Sequence, residues 1–112
     1  MGSPSEDDLE GINEIETFAD GTLVRVFVLR TSREAYPSGW AYSLHYGSRK
    51  PHPSLTLDDE TILRYDNSHE DTKGHELHKA PDLEPKRIEF PGMVELWDRY
   101  WSEIPNERFK IS

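Results

Sequence analysis

Cysteine is absent from this 112-residue chain. That absence removes disulfides, thiolate metal sites and a cysteine nucleophile from consideration. Long apolar runs are missing too. Nothing approaches the ~20 apolar residues a membrane-spanning helix needs, and no basic-then-apolar signal opens the chain. A cytoplasmic location without membrane association is the expectation. Hydrophobic residues are scarce, at 34%, so only one modest core can form, and the length fits a single domain. Lysine is the rarest charge: five Lys and eight Arg face nine Asp and thirteen Glu, a formal charge of −9. So acidic a surface repels phosphate backbones. It suits either a basic protein partner or adaptation to high salt. In strong salt the Debye length falls to roughly 3 Å at 1 M, and the local placement of Arg and His then decides which anions bind.

What is present begins with aromatics, at 11% of residues, each able to bury a large area. Residues 1–11 are polar and acidic and are expected to form a disordered tail. A single α+β domain is expected over residues 12–104 and a C-terminal tail over 105–112. Ile12 to Phe18 reads as a strand, because Ala19-Asp20-Gly21 makes a turn into a stronger one. That stronger strand is Thr22 to Thr31, rich in β-branched residues and free of breakers. Trp40 to Gly47 alternates strictly, with Trp40, Tyr42, Leu44 and Tyr46 on one face and Ala41, Ser43 and His45 on the other. Ser48 to Asp59, with Pro51 and Pro53, reads as an exposed connector. Glu60 to Tyr65 reads as a further strand, placing Ile62 and Arg64 on one face and Leu63 and Tyr65 on the other. A histidine-rich loop follows, then an extended stretch from Arg87 to Phe90. Met93, Leu96, Trp97, Tyr100, Trp101 and Ile104 form one helical stripe, stopped by Pro105. The fold class expected is an antiparallel sheet of four to five strands packed against one C-terminal amphipathic helix.

Chemistry concentrates between Arg64 and His78. Metal-free RNA cleavage needs a base on the 2′-hydroxyl, an acid on the leaving 5′-oxygen and a cation on the phosphorane. His69, His75 and His78 are candidates for the first two roles and Arg64 for the third, with Asp66 able to orient a histidine. The same three imidazoles could instead hold a zinc with an open position. Without cysteine or a recognised zinc spacing, no metal or cofactor is expected. Asp66 and Asn67 could also do no more than cap a turn through side chain to backbone bonds. Histidines in a solvated loop without a role are the plain alternative. His45 can join the site if the Glu60–Tyr65 strand pairs beside its own, and is otherwise a satisfied sheet histidine. His52, between two prolines, reads as merely exposed.

Arg64-Tyr65-Asp66-Asn67, followed by histidines and a late amphipathic helix, resembles the TumE-type toxin family of prokaryotic toxin–antitoxin modules. The resemblance spans roughly Thr22 to Glu103. Tyr65, Asp66 and Asn67 match the run after the strand, and His75 and His78 match the family's histidine pair. This chain spaces that pair as His-Glu-Leu-His rather than with one intervening residue. The resemblance implies a small toxin paired with a helix-turn-helix antitoxin and acting by RNA cleavage. The competing expectation is a non-enzymatic binding domain that uses its acidic surface or a sheet edge on a protein partner.

Overall fold

The computed structural model describes residues 4–19, 21–48, 61–80 and 82–104. In chain order these form α1 (Glu6–Leu9), β1 (Asn13–Thr17), β2 (Thr22–Arg30), β3 (Trp40–Ser48) and β4 (Thr61–Asp66). Then follow α2 (Glu70–Lys73), β5 (His75–Lys79), β6 (Lys86–Ile88) and α3 (Met93–Ser102). Each strand pairs antiparallel with the next, so the sheet is a six-stranded meander in sequence order. That order is the natural one, since strands consecutive in sequence tend to be neighbours in space and antiparallel neighbours need no crossover. The β1–β2 turn closes through Gly21 N–H to Phe18 O at 3.0 Å, with Gly21 at a φ of +88° that side chains disfavour.

Alternation decides which side of the sheet is inside. Val24, Val26 and Val28 pair with Tyr46, Leu44 and Tyr42, and Leu44 pairs with Tyr65, which pairs with Leu77. All of these are buried, and with Met93, Leu96 and Tyr100 of α3 they make one core on one face. The alternate residues Arg25, Phe27, Ser43, His45, Arg64, Asp66, Glu76 and His78 fall on the opposite face, away from α3 and here the open face: Arg25 is exposed, Asp66 is 8% exposed and the rest lie between. The helix holds to the sheet by more than apolar contact. Tyr65 Oη donates to the Glu103 carboxylate, and the Arg99 guanidinium lies 5.5 Å from the Tyr65 ring centroid. No helix among the described residues is long and apolar enough to cross a membrane.

The architecture agrees with the expected α+β class but differs in detail. The sheet has six strands rather than four to five, and two short helices accompany the C-terminal one. The added strand is β5, where the sequence reads as loop. His-Glu-Leu-His-Lys holds one aliphatic residue and nothing β-branched, so its intrinsic preference is weak. Ladders to β4 on one side and β6 on the other override that preference. Residues 6–9 of the expected disordered tail form α1. Ser5 Oγ accepts from Asp8 N–H at 3.2 Å, Asp8 Oδ2 accepts from Ser5 N–H at 3.0 Å, and Leu9 is 1% exposed. The helical stripe is as expected, with Met93, Leu96, Tyr100 and Ile104 buried and Trp97 and Trp101 packed at its edge. The connector with Pro51, His52 and Pro53, the stop at Pro105 and the tail over 105–112 lie outside the described residues.

Candidate functional site

The Arg-Tyr-Asp-Asn run is read out by the pleat, each residue going to a different place. Arg64 and Asp66 point to the open face, Tyr65 goes down into the core, and Asn67 leaves the strand. Register then builds a row across the open face. Arg25 pairs with His45, His45 with Arg64, and Arg64 with His78. The adjacent row runs Phe27, Ser43, Asp66, Glu76, Arg87. Neighbours within a row are one strand spacing apart, ~4.8 Å, so His45 and His78 flank Arg64 at about that distance on either side.

Contacts within this patch are short. Arg64 Nε lies 2.9 Å from Asp66 Oδ2, and His78 Nε2 lies 3.6 Å from that oxygen and 3.8 Å from Glu76 Oε1. His78 Nε2 is shielded from solvent yet makes no hydrogen bond among the described residues. His45 Nε2 lies 3.0 Å from Thr61 Oγ1. The register shift between Tyr46 and Gly47, which sets Thr61 opposite Gly47, brings that hydroxyl within reach of His45. Asp66, Glu76 and His78 also offer three ligand atoms within 4.8 Å of one another.

His75 stands on the other side of the sheet. Three residues apart on a strand means opposite faces, so His75 and His78 do not form a pair. His75 joins a buried polar network instead. Its Nδ1 is 2.7 Å from Tyr42 Oη, its Nε2 is 3.2 Å from Glu70 Oε1, and its ring stacks on Phe90 at 4.5 Å. Burial pushes the His75 pKa down, against the pull of Glu70. Burial likewise opposes ionisation of Glu70, but two hydrogen bonds from Ser38, one from Asn67 and the neighbouring His75 outweigh it and lower its pKa. Tyr42 is pushed well up by burial and then by the charges of Asp66 and Glu70. A neutral His75 therefore carries its proton on Nε2, toward the carboxylate, and accepts from Tyr42 at Nδ1. Every group in that relay is satisfied, which makes it a structural brace.

Asn67 completes the brace. It is 1% exposed; its Oδ1 accepts from Tyr42 N–H at 3.0 Å and its Nδ2 donates to Trp40 O at 2.6 Å and to Glu70 Oε1 at 2.8 Å. β4 ends at Asp66, opposite Ser43, so the side-chain amide of Asn67 carries the ladder on to the next groups of β3. Glu70 in turn accepts from Ser38 N–H at 2.7 Å and Ser38 Oγ at 2.5 Å, fastening the β2–β3 loop. His69 is exposed at the N-terminus of α2, in the left-handed region at φ 61° and ψ 42°. Its carbonyl accepts from the N–H groups of Thr72 and Lys73, and it has no place in the register of the Arg64 row.

Of the residues singled out from sequence, the fold thus brings Arg64, Asp66 and His78 together and sets His69 and His75 elsewhere. It adds His45, whose strand does pair beside β4, and Arg25 and Glu76, which sequence reasoning did not name. The signal for Glu76 and His78 was alternation with Arg64 and Asp66, legible only once residues 75–79 are taken as a strand.

Fold and site together define a small α+β protein whose helix covers one face of its sheet and whose polar chemistry gathers on the other. The sequence matches the family model described as Toxin TumE over residues 4–108. The chain belongs to the TumE toxin family, and its role is that of a toxin. No curated protein and no solved structure matches it.

Proposed function

We propose that this toxin cleaves RNA on the open face of its sheet, without a metal, using His45, Arg64 and His78. The observation that carries the reading is the register His45, Arg64, His78, which sets a fixed cation between two imidazoles on adjacent strands. A phosphodiester seated over Arg64 has one imidazole on either side. One takes the proton of the 2′-hydroxyl as its oxygen attacks phosphorus, and the other protonates the departing 5′-oxygen, leaving a 2′,3′-cyclic phosphate. Arg64 holds the charge that gathers on the phosphorane. Asp66 touches both Arg64 and His78 and so orients acid–base group and cation together. The partner is a cognate antitoxin, and the family pattern favours a helix-turn-helix protein.

A second reading rests on Asp66, Glu76 and His78, whose donor atoms are close enough to share a divalent ion. Two carboxylates and one imidazole suit such a cation, which would activate water or polarise the phosphate. Arg64, 2.9 Å from Asp66 Oδ2, competes with a metal for the Asp66 carboxylate, and this favours the metal-free reading.

Purified toxin and a labelled RNA, with and without excess EDTA, separate the two. Metal-free chemistry predicts cleavage that survives EDTA and falls roughly 10²- to 10⁴-fold in His78→Ala, with growth arrest lost in cells. His75→Ala, provided it stays folded, keeps cleavage. Cleavage lost to EDTA and restored by manganese establishes the metal reading instead. Growth arrest that is unchanged in both His45→Ala and His78→Ala refutes the site.

A further inference from the structure

The open face carries more than acid–base groups. Beside the Arg25–His45–Arg64–His78 row lies an apolar patch on β1 and β2. Ile15 is 48% exposed, Leu29 is 43% exposed, and Phe27 between them is partly exposed. The core lies on the other face, so burial among the described residues does not explain why Ile15 and Leu29 point outward with Phe27 half-buried between them.

The neighbours of Phe27 suggest what it meets. Phe27 is half-buried, and across the ladders it pairs with Asn13 and Ser43, two polar residues whose side chains are smaller than its ring. Along β2 its same-face neighbours are Arg25 and Leu29, and Arg25 pairs with His45. No aromatic or cation contact engages the Phe27 ring among the described residues, whereas His75, Phe90, Trp97, Tyr100 and Trp101 are all stacked or edge-packed. A flat ring beside a row that holds Arg25 and Arg64 answers two demands at once: a π-face for a base and positive charge for its phosphate.

We propose that Phe27 is a stacking platform for a nucleobase, flanked by Ile15 and Leu29, and that the toxin takes single-stranded RNA. This rests on the ribonuclease reading and extends it from the reacting phosphate to the substrate's form. Phe27 lies two strands and one row from Arg64, a lateral ~9.6 Å and an axial ~6.8 Å, so about 12 Å in all. The stacked base therefore belongs to a nucleotide beside the scissile one. Arg25, next to Phe27 on the strand, meets the intervening phosphate. A base inside a duplex is already stacked and paired, so duplex RNA cannot use the platform.

The test uses binding, not cleavage. The probe is a fluorescent single-stranded RNA fully 2′-O-methylated, which lacks the attacking hydroxyl, and a hairpin of matching composition is the comparison. Anisotropy titrations are run on wild type, Phe27→Ala, Phe27→Leu and Phe27→Trp, with thermal melts to show that each variant is folded. Loss of a stacked base weakens binding roughly 5- to 150-fold. The expected result is that loss in both the Ala and Leu variants, retention in Trp, and weak hairpin binding by wild type. Because Leu keeps the apolar bulk, equal affinity of Phe27→Leu and wild type overturns the platform while leaving the ribonuclease reading standing. Wild type that binds no oligonucleotide at all overturns the ribonuclease reading with it. Variants that keep RNA affinity but lose the antitoxin assign the patch to a protein interface and overturn the proposal.

Discussion

Asn67→Ala is the substitution whose cost can be worked most directly from the structure. The side chain replaces a missing strand residue: it satisfies Tyr42 N–H and Trp40 C=O on β3 and donates to Glu70. Both β3 residues are buried, at 3% and 5% exposure, so water does not readily take over. Leaving a buried polar group unsatisfied costs about 1–3 kcal/mol. Two backbone groups, with partial relaxation, therefore cost about 2–5 kcal/mol, out of a total stability of roughly 5–15 kcal/mol for a domain. At about 4–8 °C per kcal/mol for a domain of this size, the melting temperature should fall by roughly 8–40 °C. Calorimetry and urea titration at neutral pH read this directly. Asn67→Asp sharpens the test. It keeps the acceptor for Tyr42 but cannot donate to Trp40 or Glu70 when ionised, and it sets a second negative charge beside Glu70. Its deficit relative to wild type should be at least as large at neutral pH and should narrow as acid protonates the introduced carboxyl. An Asn67→Ala melting temperature within about 2 °C of wild type, less than 1 kcal/mol implies, refutes the ladder-extension argument.

Two further stability predictions follow from the same brace and from the N-terminus. His75 is held below its ordinary value near 6.5 and Glu70 below its ordinary value near 4.5, so both contribute stability above those values. Stability should fall as the pH drops below about 6.5 while the unfolded chain takes up the His75 proton, and fall again below about 4.5 as it takes up that of Glu70. Each group contributes a slope of at most ~1.4 kcal/mol per pH unit. Urea midpoints of wild type and His75→Gln, compared across pH 8 to 5, check it; parallel curves would show that His75 is not the group responsible. Leu9→Ala should cost about 2–5 kcal/mol, because the side chain is 1% exposed within the core; a melt unchanged from wild type would return residues 6–9 to the status of a tail.

Much of the frame was legible because its signals are local. Period-two alternation marked β3 and β4 and their faces, and period-three-and-four spacing marked the buried stripe of α3. The frayed-tail reading of residues 6–9 failed for a specific reason. Ser5 with Asp8 is a capping box, but one apolar residue is too little to announce a helix unless a core awaits it. The site was half legible. Arg64, Asp66 and His78 could be singled out as chemistry-bearing residues, but nothing local separated His78 from His75.

By itself, the sequence determined the α+β class, the strands β2 to β4, the C-terminal helix and the segment where polar chemistry gathers. Each of these follows from patterns within a few residues, where side-chain direction is tied to backbone period. Only the tertiary structure decided that His-Glu-Leu-His-Lys is a strand, since ladders on both sides overrule its weak propensity. That single decision sends His75 into a buried brace with Tyr42 and Glu70, and His78 to the open face beside Arg64. The β3–β4 ladder, also a tertiary decision, sets His45 opposite Arg64 from nineteen positions earlier in the chain, a pairing that register creates and no local pattern contains.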